Sequence, residues 1–86
     1  MSRLKLGRVY KIKDAQGFTG YGVYMGRQLG IECCICNCGN NCKTFNILHG
    51  ETIEEGLYNK DHRGDYETFG YGDEHFPELE DTGVDE

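Results

Sequence analysis

Residues 31–48 read Ile-Glu-Cys-Cys-Ile-Cys-Asn-Cys-Gly-Asn-Asn-Cys-Lys-Thr-Phe-Asn-Ile-Leu, and they constrain the fold more than any other stretch of the chain. Gly39-Asn40-Asn41 is a tight-turn signal, because Gly and Asn adopt positive φ at little steric cost. Apolar residues alternate on both sides of it, the period of a half-buried strand. The pattern predicts a β-hairpin with strands over 31–38 and 42–48. Ile31, Cys33, Ile35, Phe45 and Ile47 fall on the core face, and Glu32, Cys34, Cys36 and Cys38 on the other.

Three further segments alternate or carry strand-forming residues. Over 3–13, Leu4, Leu6, Tyr10 and Ile12 share one parity, and Arg3, Lys5, Val9, Lys11 and Lys13 the other, which predicts a strand with a basic outer face. Arg8 breaks the apolar set beside Gly7, so a bulge is expected there. Asp14-Ala15-Gln16-Gly17 supplies a turn, and Phe18 to Arg27 is a strand in which Gly20, Gly22 and Gly26 interleave with aromatics. Residues 66–71 give a last strand. Between them, Thr52 to Tyr58 predicts only a short turn of helix, with Ile53 and Leu57 at i, i+4. Gly56 argues against a longer one, and residues 59–65 read as a charged loop.

A chain of 86 residues has room for one small core. Its thirteen glycines and ten aromatics suit short, twisted strands rather than a helical bundle. No run approaches the roughly 18 apolar residues of a membrane span, and the first residues lack the apolar centre of a signal peptide. The expected compartment is the cytoplasm, where thiols stay reduced. Five cysteines, an odd number, also fit a closed disulfide framework poorly.

Charge is divided unevenly. Residues 1–50 hold seven Lys/Arg against two acidic residues, a net of +5. Residues 51–86 hold two against thirteen, a net of −11. From Asp73 onward there are seven acidic residues and no basic ones, so residues 73–86 read as an acidic tail, disordered from about Asp81. The predicted division is a β-domain over 1–72 and this tail.

The cysteines suggest a soft-metal site. Cys36, Cys38 and Cys42 bracket the hairpin turn and His49 lies beyond the return strand, a candidate set for one structural zinc, although the spacing departs from paired Cys-x2-Cys. No cofactor is otherwise expected. A reactive cysteine needs a nearby cation or helix N-terminus to lower its pKa, and no Cys/His catalytic signature surrounds these thiols. His49, His62 and His75 fall in predicted loops, and nothing places a carboxylate pair in a pocket, so no catalytic residue is assigned and no enzyme is expected.

Gly7-Arg8-Val9-Tyr10-Lys11-Ile12 followed by Gly17-Phe18-Thr19-Gly20-Tyr21-Gly22 faintly resembles the opening of a cold-shock domain, over about sixteen residues. Tyr10, Lys11 and Ile12 stand where that family has Lys-Trp-Phe, and Gln16 where it has a lysine. Most of the family's binding chemistry is therefore missing. The Gly-x-x-Tyr-x-Ile opening, two long central strands and Gly-Leu-Tyr close resemble a small SH3-like barrel. That resemblance implies a mainly β fold, an antiparallel SH3-like or OB-like barrel of about five strands, and binding through loops and aromatic surfaces. Small acidic chains of this style also resemble phage-encoded accessory proteins that act on a host factor.

Two functions follow as expectations. The first is non-enzymatic binding of a protein partner with a basic surface, using Tyr21, Tyr24, Tyr71, Asp73, Glu74, Glu78, Glu80 and Asp81, since aromatics supply contact area at low entropic cost and carboxylates steer association. The second is a zinc-stabilised nucleic-acid-binding domain, using Arg3, Lys5, Lys11, Lys13 and Phe18.

Overall fold

The computed structural model describes residues 4–28, 42–72 and 76–86. Five strands and one helix follow in the order β1 (Arg8–Lys13), β2 (Thr19–Gln28), β3 (Cys42–Leu48), α1 (Ile53–Arg63), β4 (Tyr66–Tyr71) and β5 (Glu78–Asp85). The strands form one antiparallel sheet in the spatial order β4-β3-β2-β1-β5. The mainly β expectation holds, but the sheet is open. Among the described residues β4 and β5 are its two edges and do not pair with each other, so the closed SH3-like or OB-like barrel expected from the sequence is not formed there.

Strand periodicity places the core on both faces of this sheet. Tyr10, Ile12, Tyr24, Phe45, Ile47 and Tyr71 share one face and pack together, with Leu4, Phe18, Phe69, Phe76 and Leu79 around them. Phe45 sits at the centre: Tyr24, Tyr71 and Phe76 have ring centroids 5.3, 6.1 and 6.3 Å from it. Offset and edge-on pairs of this kind each add about 0.5–1.5 kcal/mol beyond the area they bury. The opposite face carries Val9, Val23 and Leu48, and Ile53 and Leu57 of α1 cover them. Val9, which alternation put on the basic outer face, is therefore fully buried beneath the helix.

The helix is longer than its sequence suggests. Thr52 is its N-cap, accepting from the Glu55 N–H through Oγ1 at 3.1 Å. Gly64 ends it in the left-handed region at φ 62°, which a residue with a Cβ adopts only at a cost. Gly56, read as a helix breaker, is required by packing. A Cβ there would lie 2.6 Å from Leu48 Cβ, so only glycine lets the helix approach β3 this closely. The charged loop expected over 59–65 is thus mostly the second half of α1.

The acidic tail is also corrected. Residues 78–85 form β5, an ordered edge strand paired with β1, because the strand beside it is the most basic in the chain. Its register shifts between Arg8 and Tyr10, where the bulge beside Gly7 was expected. The return strand of the predicted hairpin is β3, with Phe45 and Ile47 in the core as expected. Its partner over 31–38, with Cys33, Cys34, Cys36 and Cys38, lies outside the described residues.

Candidate interaction surface

Two of the basic N-terminal residues, Lys5 and Arg8, are paired with β5. Arg8 reaches across to β5, Nε donating to Asp85 Oδ1 at 2.8 Å and Nη1 to Asp81 Oδ1 at 2.9 Å. Lys5 Nζ donates to Asp85 Oδ2 at 3.2 Å. Hydrogen bonds from Arg8 hold both carboxyls below their ordinary pKa. The Gly83 N–H adds to the effect at Asp81, and Lys5 at Asp85. The same bonds push the Arg8 pKa up.

A second tie joins α1 to the end of β5. Lys60 Nζ lies 2.9 Å from Asp61 Oδ1 and 3.3 Å from Glu86 Oε1. Burial opposes its charge, but hydrogen bonds to these two carboxylates outweigh that and raise its pKa above the ordinary lysine value. The Glu86 N–H also donates to the Gly7 carbonyl at 2.7 Å.

The residues expected to bind a partner separate into four groups. Tyr24 and Tyr71 are core residues, 8% and 0% exposed, so neither offers contact area, and their place in the exposed set is corrected. Tyr21 is half-buried against the second core cluster. Glu78, Glu80 and Asp81 are exposed on β5, with Asp81 held by Arg8. Asp73 and Glu74 lie outside the described residues.

Among the residues assigned to nucleic acid, Lys5 is paired with Asp85, and Phe18 packs edge-on against Phe69 at 5.2 Å. Arg3 lies outside the described residues. Lys11 and Lys13 are exposed along an open groove of about 560 Å³ that they share with Thr19, Glu78, Leu79 and Glu80. In register, Lys11 stands opposite Glu80 and Lys13 opposite Glu78, so the groove carries both signs of charge.

The zinc set does not assemble from what is described. Cys42 is fully buried at the start of β3, and His49 follows the end of that strand. Seven residues of extended chain separate them by about 23 Å at roughly 3.3 Å per residue, whereas ligands of one zinc lie within a few ångströms of each other. Cys36 and Cys38 lie outside the described residues, and among those described no group of three His, Cys, Asp or Glu residues is placed to hold a metal. No described helix is long and apolar enough to cross a membrane.

A surface that strand-based reading missed runs along α1. Glu54, Tyr58 and Asp61, at spacings of four and three, share one helix face, and Glu55 and His62 flank it. All five are exposed. Tyr58 is 55% exposed, its ring 4.4 Å from that of His62, and Tyr66 at the start of β4 is 43% exposed. Thr52-x-x-Glu55 is a capping-box pattern, the sequence signal from which the helix, and hence this face, was available.

No protein-family model matches the chain, and searches of the curated proteins and of the solved structures also find no match.

Proposed function

We propose that this protein is a non-catalytic binding domain that engages a protein partner with a basic surface, and that the outer face of α1 is its contact. One observation carries the reading: exposed carboxylates at Glu54, Glu55 and Asp61 surround the exposed Tyr58 on a helix capped at both ends. A tyrosine ring anchors contact at low entropic cost, and carboxylates around it speed association with a cationic surface. Glu78 and Glu80 extend the acidic surface on β5. This refines the sequence expectation, moving the aromatic anchor from Tyr24 and Tyr71 to Tyr58 and Tyr66. We place the activity in the cytoplasm, where an odd number of cysteines would stay reduced, and regard modulation of the partner, in the manner of a phage accessory protein, as its purpose.

The nucleic-acid reading keeps Lys11 and Lys13, but Arg8 and Lys5 are neutralised by β5, and Glu78 and Glu80 line the same groove. A phosphate backbone would meet carboxylates there, and the net charge of −6 opposes its approach.

The test is affinity capture with the native chain and with the double variant Tyr58→Ala/Glu54→Lys. A partner recovered by the native chain and lost from the variant, with capture that weakens as salt is raised, is the expected result. Equal recovery by both would rule out the α1 face.

A further inference from the structure

We propose that β5 is a releasable strand, and that the β1 edge beneath it is a binding site for an acidic, extended peptide added in antiparallel register. This goes beyond the partner surface on α1 and concerns a different face of the molecule.

β5 is held differently from every other strand. β1, β2, β3 and β4 each contain at least one fully buried residue, whereas β5 has none: Leu79, Thr82 and Val84 are half-buried and the other five residues are exposed. The opposite edge strand, β4, is anchored by Tyr71 at 0% exposure. What retains β5 is its backbone ladder with β1, the Thr82 hydroxyl donating to the Val9 carbonyl at 2.7 Å, partial burial of Leu79 and Val84, ion pairs from Arg8 and Lys5, and the Lys60 and Gly7 ties to Glu86 just past its end. The carboxylates of those pairs, Asp81 and Asp85, are about half exposed, at 54% and 51%. Ion pairs so open to water contribute little individually and weaken with salt. Strands with few buried apolar contacts open locally at lower free energy than the core.

The edge that release uncovers is chemically specific. It is the backbone edge of Arg8–Lys13, with Arg8, Lys11 and Lys13 along it and Lys5 beside its start. An unpaired strand edge binds extended peptide through main-chain hydrogen bonds, and side-chain pockets select the sequence. Here β5 itself displays the selected pattern: Glu78, Glu80, Asp81 and Asp85 oppose the cations, while Leu79 and Val84 insert into the two core clusters. A peptide with acidic residues around apolar positions at this spacing repeats those contacts.

Two measurements test the proposal. Hydrogen exchange on the native chain is expected to show the slowest amides of β5 exchanging at least about tenfold faster than those of β2 and β3. Exchange of β5 at the same rate as β2 and β3 would overturn it. The second measurement is the fluorescence anisotropy of a labelled peptide with the sequence of residues 78–86. It is expected to bind the full chain carrying Leu79→Asp and Val84→Asp at least about tenfold more tightly than the native chain, and to lose that binding when Arg8→Glu is added. No binding to the Leu79→Asp/Val84→Asp chain, or equal binding of a control peptide with its acids replaced by lysine, would overturn the assignment.

Discussion

The hydroxyl of Tyr71 on β4 donates to Asp14 Oδ2 at 3.0 Å, joining residues 57 apart in the sequence. The same carboxylate accepts through Oδ1 from the Gln16 and Phe18 N–H groups, so one buried side chain shapes the β1–β2 turn and ties it to the edge strand β4. Phe18, positioned by that turn, then meets Phe69 edge-on. Tyr71→Phe leaves a buried carboxylate oxygen short of a donor, which costs about 1–3 kcal/mol. Asp14→Ala, which removes all three bonds, is expected to cost more. Urea unfolding midpoints at unchanged slope measure both, and a Tyr71→Phe midpoint equal to that of the native chain would show the bond to be dispensable.

Gly56→Ala sets two effects against each other. Alanine is favoured over glycine within a helix by about 1 kcal/mol. Its Cβ would lie 2.6 Å from Leu48 Cβ, an atom fixed to the backbone of β3, so helix and sheet must separate. Overpacking of this kind costs about 1–3 kcal/mol. The expected outcome is net destabilisation, and a raised thermal midpoint would mean that the helix shifts freely. Gly22→Ala would set its Cβ 2.8 Å from Ile12 Cδ1, 3.0 Å from Ile47 Cδ1 and 3.2 Å from Phe45 Cβ, and this crowding is expected to outweigh the roughly 0.5–1 kcal/mol that alanine gains over glycine within a strand.

Asp81 and Asp85 make the native state acid-sensitive. Hydrogen bonds from Arg8 lower both pKa values from the ordinary 3.8, so the folded state binds these protons more weakly than the unfolded state. The stability they contribute is fully present above that ordinary value and is lost as pH falls through the lower folded values. Thermal midpoints measured from pH 6 down to pH 2 should therefore fall less steeply in Arg8→Ala than in the native chain. Parallel profiles would exclude these pairs as the cause.

The two caps of α1 are separately testable. Thr52→Ala removes the acceptor for the Glu55 N–H and should cost about 1 kcal/mol. Gly64→Ala forces a Cβ into the left-handed region at φ 62° and should cost about 1–2 kcal/mol. Chemical denaturation measures each loss, and an unchanged midpoint in either variant would show that end of the helix to be frayed.

Elements defined by local pattern were legible. Alternation and turn residues placed β2, β3 and β4 within a residue of their observed bounds and the end of β1 at Lys13, although β1 starts at Arg8 rather than at residue 3, because side-chain parity and turn residues act over neighbours in sequence. Which tyrosines were exposed was not legible. Tyr21, Tyr24 and Tyr71 all alternate correctly, but both faces of this sheet are covered, so parity alone could not separate a core ring from a surface one. The α1 face was half legible, since the cap at Thr52 was readable while Gly56 looked like a stop signal.

The sequence by itself determined a small, mainly β domain, with β1 and β2 divided by the turn at Asp14 to Gly17, and a chain split into basic and acidic halves. The tertiary structure alone decided what that split means. Asp81 and Asp85 lie more than seventy residues from Arg8, and only the return of β5 to the β1 edge turns an apparently unstructured acidic run into a strand paired with cations. Gly56 was likewise decided by a contact outside its own helix, with Leu48 of β3. The physical reason is common to both: short-range propensity records what a residue prefers among its neighbours, whereas charge pairing and close packing depend on what the fold brings beside it.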